Sequence, residues 1–141
     1  MMKLIDTVVL LDFLSGEDKK VETIHNFLEE LSQKGEKVFV PEEVIIELVY
    51  FLEYGYRWER EDVVEVVETI LEDETFNVEL KPFIKEALKL YGENKGTFLD
   101  CLKAVKAKKM GIKEFITFSR RAKNLGFKVL NPYDSSFKQE A

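Results

Sequence analysis

Apolar positions fall in short runs broken by charged residues, glycine or proline, and their period changes along the chain. KLIDTVV is a short continuous run, which predicts a buried strand leading into a helical turn. In DKKVETIHNFLEELSQKG, Val21, Ile24, Phe27, Leu28 and Leu31 recur at helical spacing, so residues 18–34 form an amphipathic helix that ends at Gly35. KVFV reads as a second strand. Pro41 suits a first helical position, with Glu42 and Glu43 in the first turn, and the helix runs through VIIELVYFLEYG to Gly55. It is apolar on nearly every side, which predicts burial. REDVVEVVETILED is another amphipathic helix and FNVEL an edge strand. PFIKEALKLYG and TFLDCLKAVKAKKMG are helices, KEFITF a strand, SRRAKNLG a short helix and FKVLNP a final strand. YDSSFKQEA reads as a frayed tail.

Helices alternate with short, continuous apolar strands. The expected fold class is α/β: a three-layer sandwich with a central, mainly parallel sheet flanked by helices. The expected organisation is a single domain over residues 1–132 and a C-terminal tail over 133–141, with no repeat, low-complexity tract or linker. A chain of 141 residues, 45% apolar and 34% charged, fits one soluble globular domain with its own core.

Composition narrows the chemistry. No apolar run approaches the roughly 18 residues of a spanning helix, so no membrane partner is expected. The first residues lack a signal peptide's basic start and long apolar core, and the single Cys101 allows no internal disulfide; both point to the cytoplasm. His25 is the only histidine, which excludes two-histidine sites and Cys/His zinc sites. It flanks an apolar stripe and reads as an ordinary half-exposed helix residue. The chemistry therefore rests on carboxylates, hydroxyls, lysines or a metal.

Charge is unevenly spread. Residues 1–100 carry 11 Lys and Arg against 24 Asp and Glu, whereas residues 101–128 carry 9 against 1. A basic segment in an acidic chain can bind a polyanion locally, or can be a solvated helix face.

Three acids stand where packing alone would not place them. Asp6 ends the first apolar strand, and the carboxyl ends of strands form the ligand crevice in open α/β sheets. Glu47 lies in the middle of the most apolar helix, one turn from Val44 and Phe51. Asp100 lies in the first turn of a late helix. Each has a structural alternative. Asp6 can cap the turn after it, Glu47 can face solvent beside Glu43, and Thr97–Asp100 fits a capping box. Together they suggest one site for a hard divalent cation, which takes oxygen ligands from a few carboxylates, waters and substrate phosphates. Asp12 matches no such position and reads as a cap or ion-pair partner.

The order of these features resembles the PIN domain, the ribonuclease fold that includes the VapC toxins of toxin–antitoxin pairs. The family's first Asp, in a motif like D-T/S-N-V-L-L, corresponds to Asp6 in DTVVLL. The helical Glu after a P-x(4–6)-E segment corresponds to Glu47 in PEEVIIELVYFL, and the acid of F-x-D-A-L to Asp100 in FLDCLKAV. The resemblance spans roughly residues 2–132. There are two departures. Val8 stands where the family often has Asn, and Ser119, in ITFSRR, stands at the place of the fourth acid. Ser119 is also placed to N-cap RRAKNL.

The resemblance implies a metal-dependent ribonuclease hydrolysing phosphodiesters in single-stranded RNA, with Mg²⁺ or Mn²⁺ held by Asp6, Glu47 and Asp100. A bound metal lowers the pKa of its water and offsets charge on the phosphate. The base partner is Asp100 or Glu47, and Thr7 and Ser119 are auxiliary. Lys103, Lys106, Lys109, Lys113, Arg120 and Arg121 are the expected phosphate contacts. Trp58, Tyr50, Tyr54 and Tyr56 read as core or dimer-interface aromatics rather than base-stacking ones. The implied partners are RNA, an antitoxin protein and a second copy of the chain, in a homodimer using residues from about 49 to 71. Two rivals are weighed. One is a catalytically weakened PIN-like module that binds RNA or protein without cleaving, as the missing fourth acid would allow. The other is a phosphotransferase of the haloacid-dehalogenase type, which needs a second Asp two residues after the first, where this chain has Val8.

Overall fold

Parallel pairing organises the strands. The computed structural model describes residues 1–134, and the chain divides into two compact units, Met1–Pro82 and Phe83–Ala141. In the first unit β1 (Lys3–Leu4), β2 (Val38–Val40) and β3 (Phe76–Val78) form a parallel ladder in that order. Lys3 lies opposite Val38, and Phe39 opposite Asn77. Their crossovers carry α1 (Thr7–Ser15), α2 (Asp18–Gln33), α3 (Glu42–Tyr50) and α4 (Arg60–Glu72).

The opening segment departs from the expected buried strand. β1 is two exposed residues long, and a helix begins at Thr7. The reason is capping and face. Asp6 adopts the extended N-cap conformation, and its Oδ1 accepts a hydrogen bond from the Thr7 N–H at 2.7 Å. Thr7, Leu10 and Leu11 then bury one stripe at i, i+3, i+4 spacing, while Val8 and Val9 face solvent. Asp12 neither caps nor pairs through its side chain among the described residues. Its carbonyl accepts the Gly16 N–H at 2.9 Å. A side chain at Gly16 would collide with that carbonyl oxygen, so glycine is needed where α1 hands over to α2.

The helical segment that opens with α3 is also less buried than its composition predicts. Val44, Ile45, Leu48, Val49 and Leu52 are buried, but Tyr50, Phe51, Tyr54 and Tyr56 are exposed, so these tyrosines are not core residues. The helix continues past Tyr50 as a π-helical turn, Phe51–Gly55. At its start Pro41 occupies the N-cap and has no side-chain cap to offer. Glu79, just past β3, supplies one instead: its Oε1 accepts from the Glu42 N–H at 3.0 Å. Phe27, expected on the buried stripe of α2, is exposed. His25 is exposed too, its ring stacked on Phe13 at 6.5 Å. Leu10, Val40, Ile45, Leu48, Leu52 and Val63 are fully sealed from solvent. Each contributes about 1.5–3 kcal/mol of burial.

The second unit holds most of α5 (Lys81–Gly92), then α6 (Phe98–Lys109), β4 (Glu114–Ile116) and β5 (Lys128–Leu130). The two strands pair in parallel, with Glu114 opposite Lys128 and Ile116 opposite Leu130. Ile84, Ala87, Leu88, Tyr91, Cys101 and Ala104 form its buried centre. The short helix expected after β4 is 3₁₀, Arg120–Leu125, and it stops at Gly126, whose φ of 87° is a left-handed conformation that glycine adopts without strain. Tyr133 and Asp134, expected in a frayed tail, belong instead to a hydrogen-bonded turn after β5. The rest of the expected tail, residues 135–141, lies outside the described residues. Alternating helices and parallel strands confirm the α/β class. Among the described residues no helix is long and apolar enough to cross a membrane.

Candidate active site

One buried residue, Thr7, holds two acids of the first unit. Thr7 is 2% exposed, and it faces inward because it shares the stripe of Leu10 and Leu11. Its Oγ1 donates to Glu47 Oε1 at 2.8 Å, and its backbone N–H donates to Asp6 Oδ1 at 2.7 Å. Two carboxylates forty positions apart in the chain are thus both hydrogen-bonded to one residue. Each element has a local reason to be there. Asp6 sits just past β1, where Ile5 still donates to the Phe39 carbonyl at 3.3 Å. Glu47 lies on α3, whose first turn is held by Glu79.

Both acids are exposed rather than buried, so neither pays the desolvation cost that their apolar neighbours in sequence suggest. Glu47 nonetheless does not simply face solvent beside Glu43, because its Oε1 is held by Thr7. Asp6 does cap α1, so its structural role and its place beside Glu47 coexist. Among the described residues Asp6 Oδ2 and Glu47 Oε2 carry no hydrogen bond and neither acid is paired with a cation. Free carboxylate oxygens with open access to water suit a hard divalent cation, which fills the rest of its shell with water or phosphate oxygen. Among the described residues no three His, Cys, Asp or Glu side chains form a group that could hold a metal ion. Within the first unit the acids tied to Thr7 are a pair, Asp6 and Glu47.

Asp100 and Ser119 belong to the second unit. Asp100 opens α6, and its N–H donates to Thr97 Oγ1 at 3.1 Å, the forward half of a capping box. The reciprocal half is not made. The Asp100 carboxylate instead lies 3.9 Å from Lys103 Nζ, a partly exposed i,i+3 pair of little energetic weight. Ser119 occupies the N-cap position of the 3₁₀ helix, but its hydroxyl makes no capping bond, so the expected capping role is absent. Its N–H donates to Thr117 Oγ1 at 3.1 Å.

The basic residues named from sequence all lie in the second unit. Lys103, Lys109, Lys113, Arg120 and Arg121 are exposed, and Lys106 is half-buried. Lys106 and Lys109 lie in the last turn of α6, where cations also favour the helix dipole. Trp58 is half-buried and lines an open cleft of the first unit with Arg57, Glu59 and Asp62. Sequence reasoning missed Glu79. The signal was available: a helix opening on proline has no side-chain cap of its own, and a carboxylate elsewhere must serve.

The model of the PIN domain matches residues 3–128. A relative from Aquifex aeolicus (strain VF5), the "VapC ribonuclease", is 77% identical over 135 residues, covering 96% of this chain and all of the relative. No solved structure matches. The family match contains Asp6, Thr7, Glu47, Asp100 and Ser119 within its bounds, and with the parallel α/β topology it settles the class: the chain belongs to the PIN-domain family.

Proposed function

We propose that this chain is a ribonuclease that hydrolyses phosphodiester bonds in single-stranded RNA with the help of Mg²⁺ or Mn²⁺, and that it is the toxin of a toxin–antitoxin pair in the cytoplasm. The observation that carries the reading is the Thr7 bridge between Asp6 and Glu47, in a chain so close to a protein named as a VapC ribonuclease. Asp6 and Glu47 would hold the ion, with Asp100 the third acid that the family resemblance implies. Such an ion supplies a water of lowered pKa and offsets phosphate charge.

The chain's own residues do the rest. Thr7 fixes one oxygen of Glu47 and leaves the other for a ligand. Its N–H does the same for Asp6. Lys103, Lys106, Lys109, Lys113, Arg120 and Arg121 neutralise phosphates along the strand and make binding salt-dependent. Ser119 places a hydroxyl, not a carboxylate, at the fourth position. That substitution also favours a second reading, a weakened module that binds RNA or a partner without cutting it.

Cleavage of a single-stranded RNA by wild type, Asp6→Asn, Glu47→Gln and Asp100→Asn separates the two. Activity that needs added Mn²⁺ and falls at least a hundredfold in each variant, about 2.7 kcal/mol of barrier, is the expected result. RNA binding with no cleavage at any metal concentration supports the module. Full cleavage by Asp6→Asn refutes the site. The exposed Tyr50, Phe51, Tyr54 and Tyr56 support a homodimer over residues 49 to 71, with the antitoxin nearby. Light scattering is expected to give twice the chain mass, and Tyr54→Glu to give one. A wild-type monomer at high concentration overturns the dimer.

A further inference from the structure

Two aromatic rings stand in the open at the carboxyl end of the second unit's strand pair. Phe118 is 64% exposed and Tyr133 is 78% exposed, yet the rings stack on each other with centroids 5.2 Å apart and planes 8° from parallel. Phe118 follows β4 by two positions and Tyr133 follows β5 by three, beyond the paired residues Ile116 and Leu130. In parallel α/β folds that end of the strands is where ligands lie.

The backbone holds both rings in place. Thr117 N–H donates to the Leu130 carbonyl at 3.1 Å, and Thr117 Oγ1 accepts from Ser119, fixing the chain on either side of Phe118. On the other strand Asn131 and Pro132 build a turn: Asn131 Oδ1 accepts from Tyr133 N–H at 2.9 Å, and its carbonyl accepts from Asp134 at 2.9 Å. The stacked rings line a cleft of about 540 Å³ together with Arg120, Lys123, Asn131 and Asp134. Arg120 and Lys123 are exposed cations in a segment with nine basic residues and one acidic.

We infer that this cleft is a nucleotide subsite of the RNA-binding surface: a base of single-stranded RNA stacks on the Phe118–Tyr133 pair while Arg120 and Lys123 meet its flanking phosphates. The inference rests on the ribonuclease reading for its choice of RNA among polyanions, and adds a stacking platform that the phosphate contacts alone do not supply. Aromatic faces accept any base, so the subsite contributes affinity for unpaired strands rather than sequence choice. With Oδ1 committed to the turn, Asn131 keeps its amide nitrogen as a donor to a base edge. Phe118 and Arg120 flank Ser119 directly in the chain, so the subsite adjoins the fourth-acid position in sequence.

The test measures binding without catalysis. A fluorescent oligoadenylate RNA of about eight nucleotides, in the site-size range of single-strand binders, is titrated in EDTA and followed by anisotropy. Phe118→Ala and Tyr133→Ala are each expected to weaken binding about tenfold, while Phe118→Tyr and Tyr133→Phe keep it. Arg120→Ala and Lys123→Ala are expected to reduce the salt slope by about 0.7 each. An abasic oligomer, and a duplex whose bases are already stacked, should show no loss from Phe118→Ala or Tyr133→Ala.

Equal affinity of wild type, Phe118→Ala and Tyr133→Ala for the oligomer overturns the subsite, and so does a wild type that does not bind it. Unchanged RNA binding with a changed mass in Phe118→Ala makes the ring pair a protein interface and also overturns it. Tenfold losses in binding by a wild type that never cleaves RNA leave the subsite standing and refute the nuclease reading. Cleavage without any loss of binding in the variants does the reverse.

Discussion

Thr7→Val removes one hydroxyl and leaves the neighbouring backbone bond intact, because Asp6 is held by the Thr7 N–H rather than by its side chain. What is lost is the 2.8 Å bond from Oγ1 to Glu47. A bond to a charged group contributes about 1.5–3 kcal/mol when its partner stays dry. Glu47 is exposed, so water replaces the lost donor and the cost falls to about 1 kcal/mol. The valine methyl enters a site only 2% exposed and returns about 0.8 kcal/mol of burial. Stability should therefore change little, with the melting temperature within about 2 °C of wild type.

Function should not be spared in the same way. Without the bridge Glu47 regains its rotamers and no longer stands fixed beside Asp6. The expected result is a Mn²⁺ affinity about tenfold weaker by calorimetry, equivalent to 1.4 kcal/mol, with RNA cleavage falling in step at subsaturating metal. Thr7→Ser keeps the hydroxyl and should keep the affinity while losing stability through its missing methyl. The reasoning fails if Thr7→Val binds metal and cleaves like wild type. It fails equally if Thr7→Ser loses as much affinity as Thr7→Val.

Ser119→Asp should strengthen Mn²⁺ binding and lower the metal concentration needed for cleavage, because a carboxylate outbids a hydroxyl for a hard cation. Since the Ser119 hydroxyl makes no capping bond now, the change should leave stability unchanged or raise it by at most about 1 kcal/mol in chemical denaturation; unchanged metal binding in a folded protein would remove Ser119 from the site. Glu36 is hydrogen-bonded to Lys3 at 2.9 Å, and that partner holds its carboxyl below the ordinary glutamate range. A lowered folded-state pKa contributes stability above the unfolded value of about 4.3, and that contribution disappears as pH falls through the folded value. Urea midpoints of wild type and Glu36→Gln should thus differ slightly at neutral pH and converge in acid, and a gap that widens in acid would contradict the pairing.

Sequence alone was strong on the elements. The 3.6-residue stripes placed α2, α4, α5 and α6 nearly as observed, because burying one face demands that spacing wherever the helix ends up. Short apolar runs between them marked the parallel strands, although only β2 is covered along its length, while β1 is exposed and β3, β4 and β5 each keep exposed positions. Asp6, Glu47, Asp100 and Ser119 stood out as acids and a hydroxyl in family-like order, and the structure ties the first two to Thr7.

The tertiary structure decided what surrounds them. The valines of DTVVLL favour a strand locally, yet Asp6 caps a helix there and Val8 and Val9 are left in solvent, because Leu10 and Leu11 have a core to enter. The tyrosines after Glu47 read as core or dimer-interface residues and are exposed, since the helix buries the face that carries Leu48 and Leu52 and nothing among the described residues covers the other. No local pattern links Thr7 to Glu47, Glu79 to the start of α3, or Phe118 to Tyr133. Each of these contacts joins residues far apart in the chain, so it exists only once two strands have paired and brought the segments that follow them together. Periodicity reports which face of an element is buried; it carries no information about the partner that the exposed end will meet.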